Sequence, residues 1–516
     1  MLYLKKYNWS TEKNVSVSGF AWLGEDYFCG QDFVAQIQKL TSDLGQFKDF
    51  VSRLNGQFSI VVNNEEETWA KCCHTWSFPL FYKIDNGNFS ISDQPEQLQR
   101  TDEDKEIDAF ASSYFLQFGV TPFQQTLKAT IAQIQPGEIV CFKNKSGNVT
   151  SDFVFQLQHK PNAEQTPQDV ETHFRNVFKK YFKQIKNKQI LLPLTRGYDS
   201  RLLACLLAEF GHKNVLCATW GRKNNTEKQT AQKVAKKLGF QYQFIEYNEE
   251  LIDNFKSDPT FTDYANYSGH WSSMPYLQDY FAVKLLKEKK LINEKAVALP
   301  GHPGDFLRGA HLNSSILDLK ASELGATLIK TLGTSLPAKP DFRAALQKYL
   351  EENRFIQKSL TPAEAYEIWD LQERQCKFIS NSNQVYAYFG VNVLMPLFDK
   401  QSLQFFAGID ARNKNREHLY NKTLEDYFFK KHGVDFDLKQ ISDQKDSKFQ
   451  NLKTRLIKAA PHHLKTLYYP MKDGIFYREI TDQLRRDITM KHPLKPHSFN
   501  AYIVQWYLHF LASQAK

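Results

Sequence analysis

The chain has 516 residues, 42% of them hydrophobic and 14% aromatic, enough for two or more domains with sizeable cores. It holds no run of about 18 apolar residues that would span a membrane, and its start, MLYLKKYNWSTEKNVSVSG, lacks the apolar stretch and cleavage site of a signal peptide, so a cytoplasmic protein is expected. The net charge of +9 is spread over interleaved acids and bases with no nucleic-acid-binding motif, which fits a phosphate-rich small ligand better than DNA, RNA or a membrane.

Residues 1–158 read as mostly β. The runs SGFAWLG, GQFSIVVNN, FPLFYKI, NFSISD and GEIVCFKN have strand chemistry and are separated by turn residues. Two helical patterns interrupt them, DFVAQIQKLTSDL and IDAFASSYFLQFG. The expectation is an α+β domain of two packed sheets with a few helices. The polar stretch His159 to Pro167 reads as a linker.

Residues 167–516 read differently. A helix over Gln168 to Ile185 precedes a buried strand (Ile190 to Leu194), a polar loop (Thr195 to Ser200) and an apolar helix starting near Arg201. A second strand (Asn214 to Gly221), a helix and a third strand, YQFIEY, follow. This alternation predicts a parallel α/β sheet with right-handed crossovers, whose ligands sit beyond the carboxyl ends of the strands. SMPYLQDYFAVKLLKEKK reads as helix and leads into a third strand-end loop in AVALPGHPGDFLRGAHL. The remainder, from about Ser322, reads as mainly helical.

The first loop carries the strongest chemical signal. A helix N-terminus after a strand offers unpaired N–H groups to an anion, Thr195 and Ser200 add hydroxyls, and Gly197 permits close approach. Asp199 sits among these donors, and Asp305 lies in the third strand-end loop; the pair suits Mg²⁺ bridging acids and phosphates. Neither a Walker phosphate loop nor a GxGxxG turn is present. The seven cysteines form no CxxC pair and no cluster with histidine, so reduced thiols without disulfides or zinc are expected.

TRGYDSR resembles the SGGxDS pyrophosphate loop of the asparagine synthetase superfamily, PGHPGDFLRGA its SGEGADELFGG loop, and FGVNVLMPLFDKQSLQFF its GVExRxPFLDxxLVxF stretch, with Gly390, Pro396 and Asp399 matching. The strand CATWG with Glu227 and VAKKLG resembles the adenine-side segment, and LNGQFSIVV, FPLFY, SISDQPEQL and QIQPGEIVCF resemble pieces of the glutamine-hydrolysing domain. The resemblance implies a degenerate glutaminase-like (Ntn-hydrolase-like) domain at 1–158. It implies an ATP-pyrophosphatase domain with a helical C-terminal part at 167–516. ATP and pyrophosphate would be held by Leu194, Thr195, Arg196, Gly197, Asp199, Ser200, Thr219 and Gly301, and Mg²⁺ by Asp199 and Asp305. The implied activity is an AMP-forming amide ligase, which adenylates a small carboxylate (a sugar acid or an amino acid) and transfers ammonia or an amine to it.

The departures are specific. Leu2 stands where glutamine-hydrolysing members have Cys, and Leu23 where they have Asn, so no glutaminase activity is expected. Arg196 replaces a Gly; its guanidinium is able to grip phosphate, obstruct the pocket or pair with an acid. His302 stands where asparagine synthetases carry Glu and β-lactam synthetases Tyr, a place suited to taking a proton from an amine, with Glu373 as its implied acid partner. Asn392 and Leu394 replace the family's Glu and Arg, which argues against free aspartate as substrate. The family's assisting lysine is open between Lys377, Lys422 and Lys445. Two rivals remain at this stage: a lasso-peptide-type macrolactam cyclase, and a non-catalytic nucleotide-binding or scaffold relative.

Overall fold

The computed structural model describes residues 1–144, 146–159, 165–334, 336–353, 355–357, 359–414, 418–438, 473–488 and 499–514. Part of the expected linker and Lys445 lie outside them.

The N-terminal half holds eleven strands: β1 (Leu2–Tyr3), β2 (Trp9–Glu12), β3 (Val15–Leu23), β4 (Asp26–Cys29), β5 (Asn55–Asn63), β6 (Glu67–Cys72), β7 (Phe81–Asp85), β8 (Asn88–Ser92), β9 (Ala132–Gln133), β10 (Glu138–Lys143) and β11 (Val149–Phe153). They form a seven-stranded sheet ordered β11-β10-β6-β5-β3-β2, with β4 on β3, and a four-stranded sheet ordered β1-β8-β7-β9. Alternation along β5 explains why both faces of the larger sheet are buried. Phe58, Ile60 and Val62 pack with Phe33, Val34, Phe47 and Val51 of helices α1 (Gly30–Gln38) and α2 (Leu44–Arg53). Val61 points the other way, into a cluster with Ala70, Phe142, Phe89 and Ile91. There Phe89 of the small sheet stacks on Phe142 of the large one, ring centroids 4.6 Å apart. The helix expected over DFVAQIQKLTSDL stops at Gln38, and a separate helix starts at Leu44, because Asp43 accepts from the Gln46 N–H and caps a new N-terminus.

Helix α3 (Ala109–Phe118) leaves the sheets and packs among C-terminal helices, Trp369 Nε1 donating to Tyr114 Oη at 2.9 Å. The Leu127 N–H donates to Trp271 O and the Thr121 N–H to Ser272 O. A buried ionic junction also ties the halves. Asp399 accepts from Asn55 Nδ2 and from Lys180 Nζ, both at 2.8 Å, and caps the helix Lys400–Ala407.

Helix α4 (Pro167–Ile185) begins at a Thr166/Asp169 capping box with Pro167 in its first turn. Beyond it lies an all-parallel five-stranded sheet, ordered β14-β13-β12-β15-β16, from β12 (Ile190–Pro193), β13 (Val215–Gly221), β14 (Gln241–Glu246), β15 (Val297–Ala298) and β16 (Asn392–Val393). Ile190, Leu192, Leu194 and Cys217 face one core, and Leu191, Leu216, Ala218 and Ala298 the other. Two buried faces are the reason these strands read as continuous apolar runs. Helices α5 (Tyr198–Glu209) and α6 (Thr226–Leu238) make the first crossovers. α5 starts three residues before the expected Arg201, which puts Asp199 and Ser200 in its first turn.

Candidate functional site

Three strand-end loops converge on a cavity of about 220 Å³. The first follows β12. The Leu194 N–H extends the ladder to Ala218 O, and Thr219 Oγ1 donates to Leu194 O at 2.6 Å, so Leu194 and Thr219 are fixed side by side. The Thr195 N–H donates to Ser200 Oγ and the Gly197 N–H to Thr195 Oγ1, each at 3.1 Å, folding the loop over the start of α5. Gly197 provides no side-chain cap there. Asp199 accepts from Tyr420 Oη at 2.8 Å. Arg196 pairs with Glu227, Nε to Oε1 at 3.1 Å, while its own N–H donates to Glu227 Oε2 at 2.7 Å. Of the three options for Arg196, the structure has the pairing with an acid, and the side chain does not line the cavity. Fully buried Arg201 donates to the Arg196, Val434 and Phe436 carbonyls and ties the loop to the C-terminal part.

The second loop follows β15 and lies against the first. A Cβ on Gly304 would stand 2.1 Å from Asp199 Cγ, and one on Gly301 would stand 3.1 Å from Asp199 Cβ and from Ser200 N. Glycine is therefore required at 304 by close approach. Asp305 is paired with Arg308, whose Nε lies 3.1 Å from Oδ1. Desolvation pushes the Asp305 carboxyl up, but Arg308 and the nearby His311 and His302 outweigh it and hold it below the ordinary carboxylate range. His302 is lowered by burial, against the pull of Asp305 and a hydrogen bond with Asn383, so its ring is neutral at pH 7. Among the described residues its buried Nδ1 has no hydrogen-bond partner.

Leu194, Thr195, Gly197, Asp199, Ser200, Thr219, Gly301, His302 and Asp305 all line this one cavity. Glu373 does not. It is fully buried, receives Lys377 Nζ at 2.9 Å and lies 3.2 Å from the Phe123 N–H. Lys377 is thereby engaged as well, and Lys422 is exposed. The acid that reaches the His302–His311 loop is Asp370, whose Oδ2 lies 2.5 Å from His311 Nδ1.

Sequence reasoning placed Trp220 at a strand end without giving it a role and missed Tyr276, Gln278, Asp279, Tyr386 and Ile475, which also line the cavity. Tyr276 to Asp279 fall in a stretch expected to be helical, but the helix starts only at Tyr280. Pro275 restricts only Met274 before it, so nothing local in the sequence marked Tyr276 to Asp279 as lying outside the helix. Ile475 arrives on a late segment held to the end of β13: the Arg222 N–H donates to Gly474 O, and Arg222 Nε to Asp473 O at 2.7 Å. Gly221 allows this approach, having φ of +134° and no Cβ to meet Gly474 O.

Asp199 and Asp305 offer two carboxylates beside hydroxyl and N–H donors. No group of three or more His, Cys, Asp or Glu gathers among the described residues. That donor set fits Mg²⁺, which commonly takes one or two protein carboxylates and completes its shell with phosphates and water.

No protein-family model and no curated protein matches the chain. Among solved structures, the NH3-dependent NAD synthetase of Campylobacter jejuni is similar at 16% identity and a TM-score of 0.23, over 38% of this chain and all of that one. A U34-tRNA thiolase of Methanococcus maripaludis is similar at 17% and 0.22, over 45% of this chain and 83% of that one. The glutamine phosphoribosylpyrophosphate amidotransferase of B. subtilis is similar at 10% and 0.18, over 80% of this chain and 78% of that one. At these scores the fold assignment stands on the sheet order and the loops themselves.

Proposed function

We propose that the chain is an asparagine synthetase-like, AMP-forming amide ligase that uses ATP and Mg²⁺. The observation that carries this reading is the meeting of the three loops: nine residues named from sequence motifs line one cavity at the carboxyl ends of parallel strands, with Gly304 packed against the Asp199 carboxylate. In this scheme Thr195, Gly197 and Ser200 hold the pyrophosphate at the start of α5. Mg²⁺, held by Asp199 and Asp305, would neutralise charge developing on the phosphates. A substrate carboxylate attacks the α-phosphate, giving an acyl-adenylate and pyrophosphate, and an amine then displaces AMP. His302, kept neutral by burial and oriented by Asn383, accepts the amine's proton. Glu373 has no part in this scheme, because Lys377 and the Phe123 N–H occupy it.

The N-terminal half supplies no glutaminase in this reading, since Leu23 takes the place of the family's Asn. The test is pyrophosphate release from ATP across a panel of carboxylates and amines, sugar acids and amino acids included. Asp199→Ala should abolish it. Equal release by wild type and Asp199→Ala, or none with any acid while ATP fails to bind, overturns the proposal.

A further inference from the structure

The scheme above leaves two acids of the cavity without a role, Glu227, which is paired with Arg196, and Asp279. Asp279 is 7% exposed and lines the cavity wall. It heads the helix Tyr280–Glu288, yet its side chain makes no capping bond there. Instead Tyr386 Oη donates to Oδ2 at 3.0 Å, and the Trp220 side chain also hydrogen-bonds it. Among the described residues no lysine, arginine or histidine pairs with it, and burial pushes its carboxyl up to about 7. A buried carboxylate without a cation is costly unless something supplies the charge.

The surroundings indicate what that charge is. Trp220, Tyr276 and Tyr386 line the cavity with Asp279. Aromatic side chains beside a carboxylate that lacks a cationic partner favour an organic ammonium group and disfavour an anion. The phosphate-directed donors Thr195 and Ser200 lie on a different loop. Placement relative to His302 is also informative: Asn383 hydrogen-bonds His302, and Tyr386, three positions on, hydrogen-bonds Asp279. One turn of chain thus holds the ammonium-type wall and the neutral histidine together.

We infer that Asp279, walled by Trp220, Tyr276 and Tyr386, binds a protonated amino group of the substrate, so that the molecule taken by this site carries a cationic nitrogen. The inference rests on the ligase reading for the use made of that molecule; the ammonium subsite is measurable without ATP. The full-length protein is titrated at pH 7.5 with n-butylamine and, separately, with n-butanol, followed by ligand-observed NMR. The amine should bind about tenfold more tightly than the alcohol, a difference of about 1.4 kcal/mol. Asp279→Asn, which keeps the shape and an acceptor for Tyr386, should abolish the preference. Its MgATP affinity, by equilibrium dialysis, should stay within about twofold of wild type. If Asp279→Asn fails to fold by circular dichroism, Tyr386→Phe carries the test: losing a donor to the carboxylate, it should weaken amine binding and leave the alcohol unchanged.

Equal binding of amine and alcohol, an amine preference that survives in a folded Asp279→Asn protein, or amine binding left unweakened by Tyr386→Phe, overturns the inference. A matched loss of MgATP affinity in Asp279→Asn would overturn it too, by assigning the carboxylate to the nucleotide base. Wild type that binds the amine but not MgATP would sink the ligase reading alone.

Discussion

Gly304→Ala probes the contact on which the two-loop site depends. The added Cβ would stand 2.1 Å from Asp199 Cγ, 2.3 Å from Oδ1 and 2.7 Å from Cβ. Non-bonded carbons sit at about 3.5–4.0 Å, so relief requires the Asp199 carboxylate to move by about 1 Å or more. Two consequences follow. Overpacking of this kind costs about 1–3 kcal/mol, and moving the carboxylate off Tyr420 Oη forfeits a hydrogen bond to a charged group worth about 1.5–3 kcal/mol. A displacement near 1 Å in a reacting constellation lowers turnover by about 100-fold. The milder Gly301→Ala, whose Cβ would meet its neighbours at 3.1 Å, should fall between Gly304→Ala and wild type. The assay pairs urea or thermal unfolding with pyrophosphate release. Repeating Gly304→Ala in an Asp199→Ala background removes Cγ and Oδ1, so the stability cost should shrink. Wild-type stability and turnover in Gly304→Ala would refute the placement of Asp199 over this loop, and an unchanged cost in the Asp199→Ala background would refute the cause.

Asp399→Asn leaves Lys180 buried against Trp22 without its counter-charge and should cost about 3–5 kcal/mol; adding Lys180→Met should recover part of that, and a double variant as unstable as the summed singles would dismiss the junction. Arg196→Gly should change MgATP affinity by less than about threefold, because the guanidinium is spent on Glu227; a tenfold change in calorimetry, in either direction, would show that it reaches the nucleotide. Burial holds His74 at about 3 and His173 at about 4, while an unfolded histidine titrates near 6.5. Between those values only the unfolded chain takes up the proton, so each histidine should remove stability as pH falls below about 6.5, by about 1.4 kcal/mol per unit. Urea midpoints that stay level from pH 7 to pH 5 would contradict this, and His173→Phe should flatten the slope. Glutamate release from glutamine should not exceed background in a coupled assay.

The inner strands of the parallel sheet were legible because they are buried on both faces, and the half-exposed edge strand Gln241–Glu246 because of its aromatic and β-branched residues. Ile190–Pro193, Val215–Gly221 and Gln241–Glu246 stand within a residue or two of the runs that announced them. The loop Thr195 to Ser200 was singled out by its hydroxyls, glycine and acid after a buried strand together with the resemblance of TRGYDSR to a known loop, and Thr195, Gly197, Asp199 and Ser200 line one cavity. β15 and β16 were not legible as a pair. Two residues each carry no periodicity, and their parallel pairing joins Val297 to Asn392 across the chain. Asp279 and Tyr386 were missed for a related reason, since hydrogen bonds between residues 107 positions apart leave no local pattern. Glu373 shows the opposite failure. Its position in the helical region suggested a partner for His302, whereas Lys377, one turn on, satisfies it inside the core.

The strap from Asp473 to Ile475 also bears on how the protein is born. It meets Arg222 across 251 positions of sequence, so this side of the cleft is contributed long after β13 has been made. Closing so long a loop is entropically slow to nucleate, though each doubling of length adds only about 0.6 kcal/mol. On an emerging chain the sheet can therefore form while Trp220 still faces water, and the cavity wall is completed only once the strap follows. A ligand held tightly in this cavity would double as proof that the Asp473–Ile475 strap has docked.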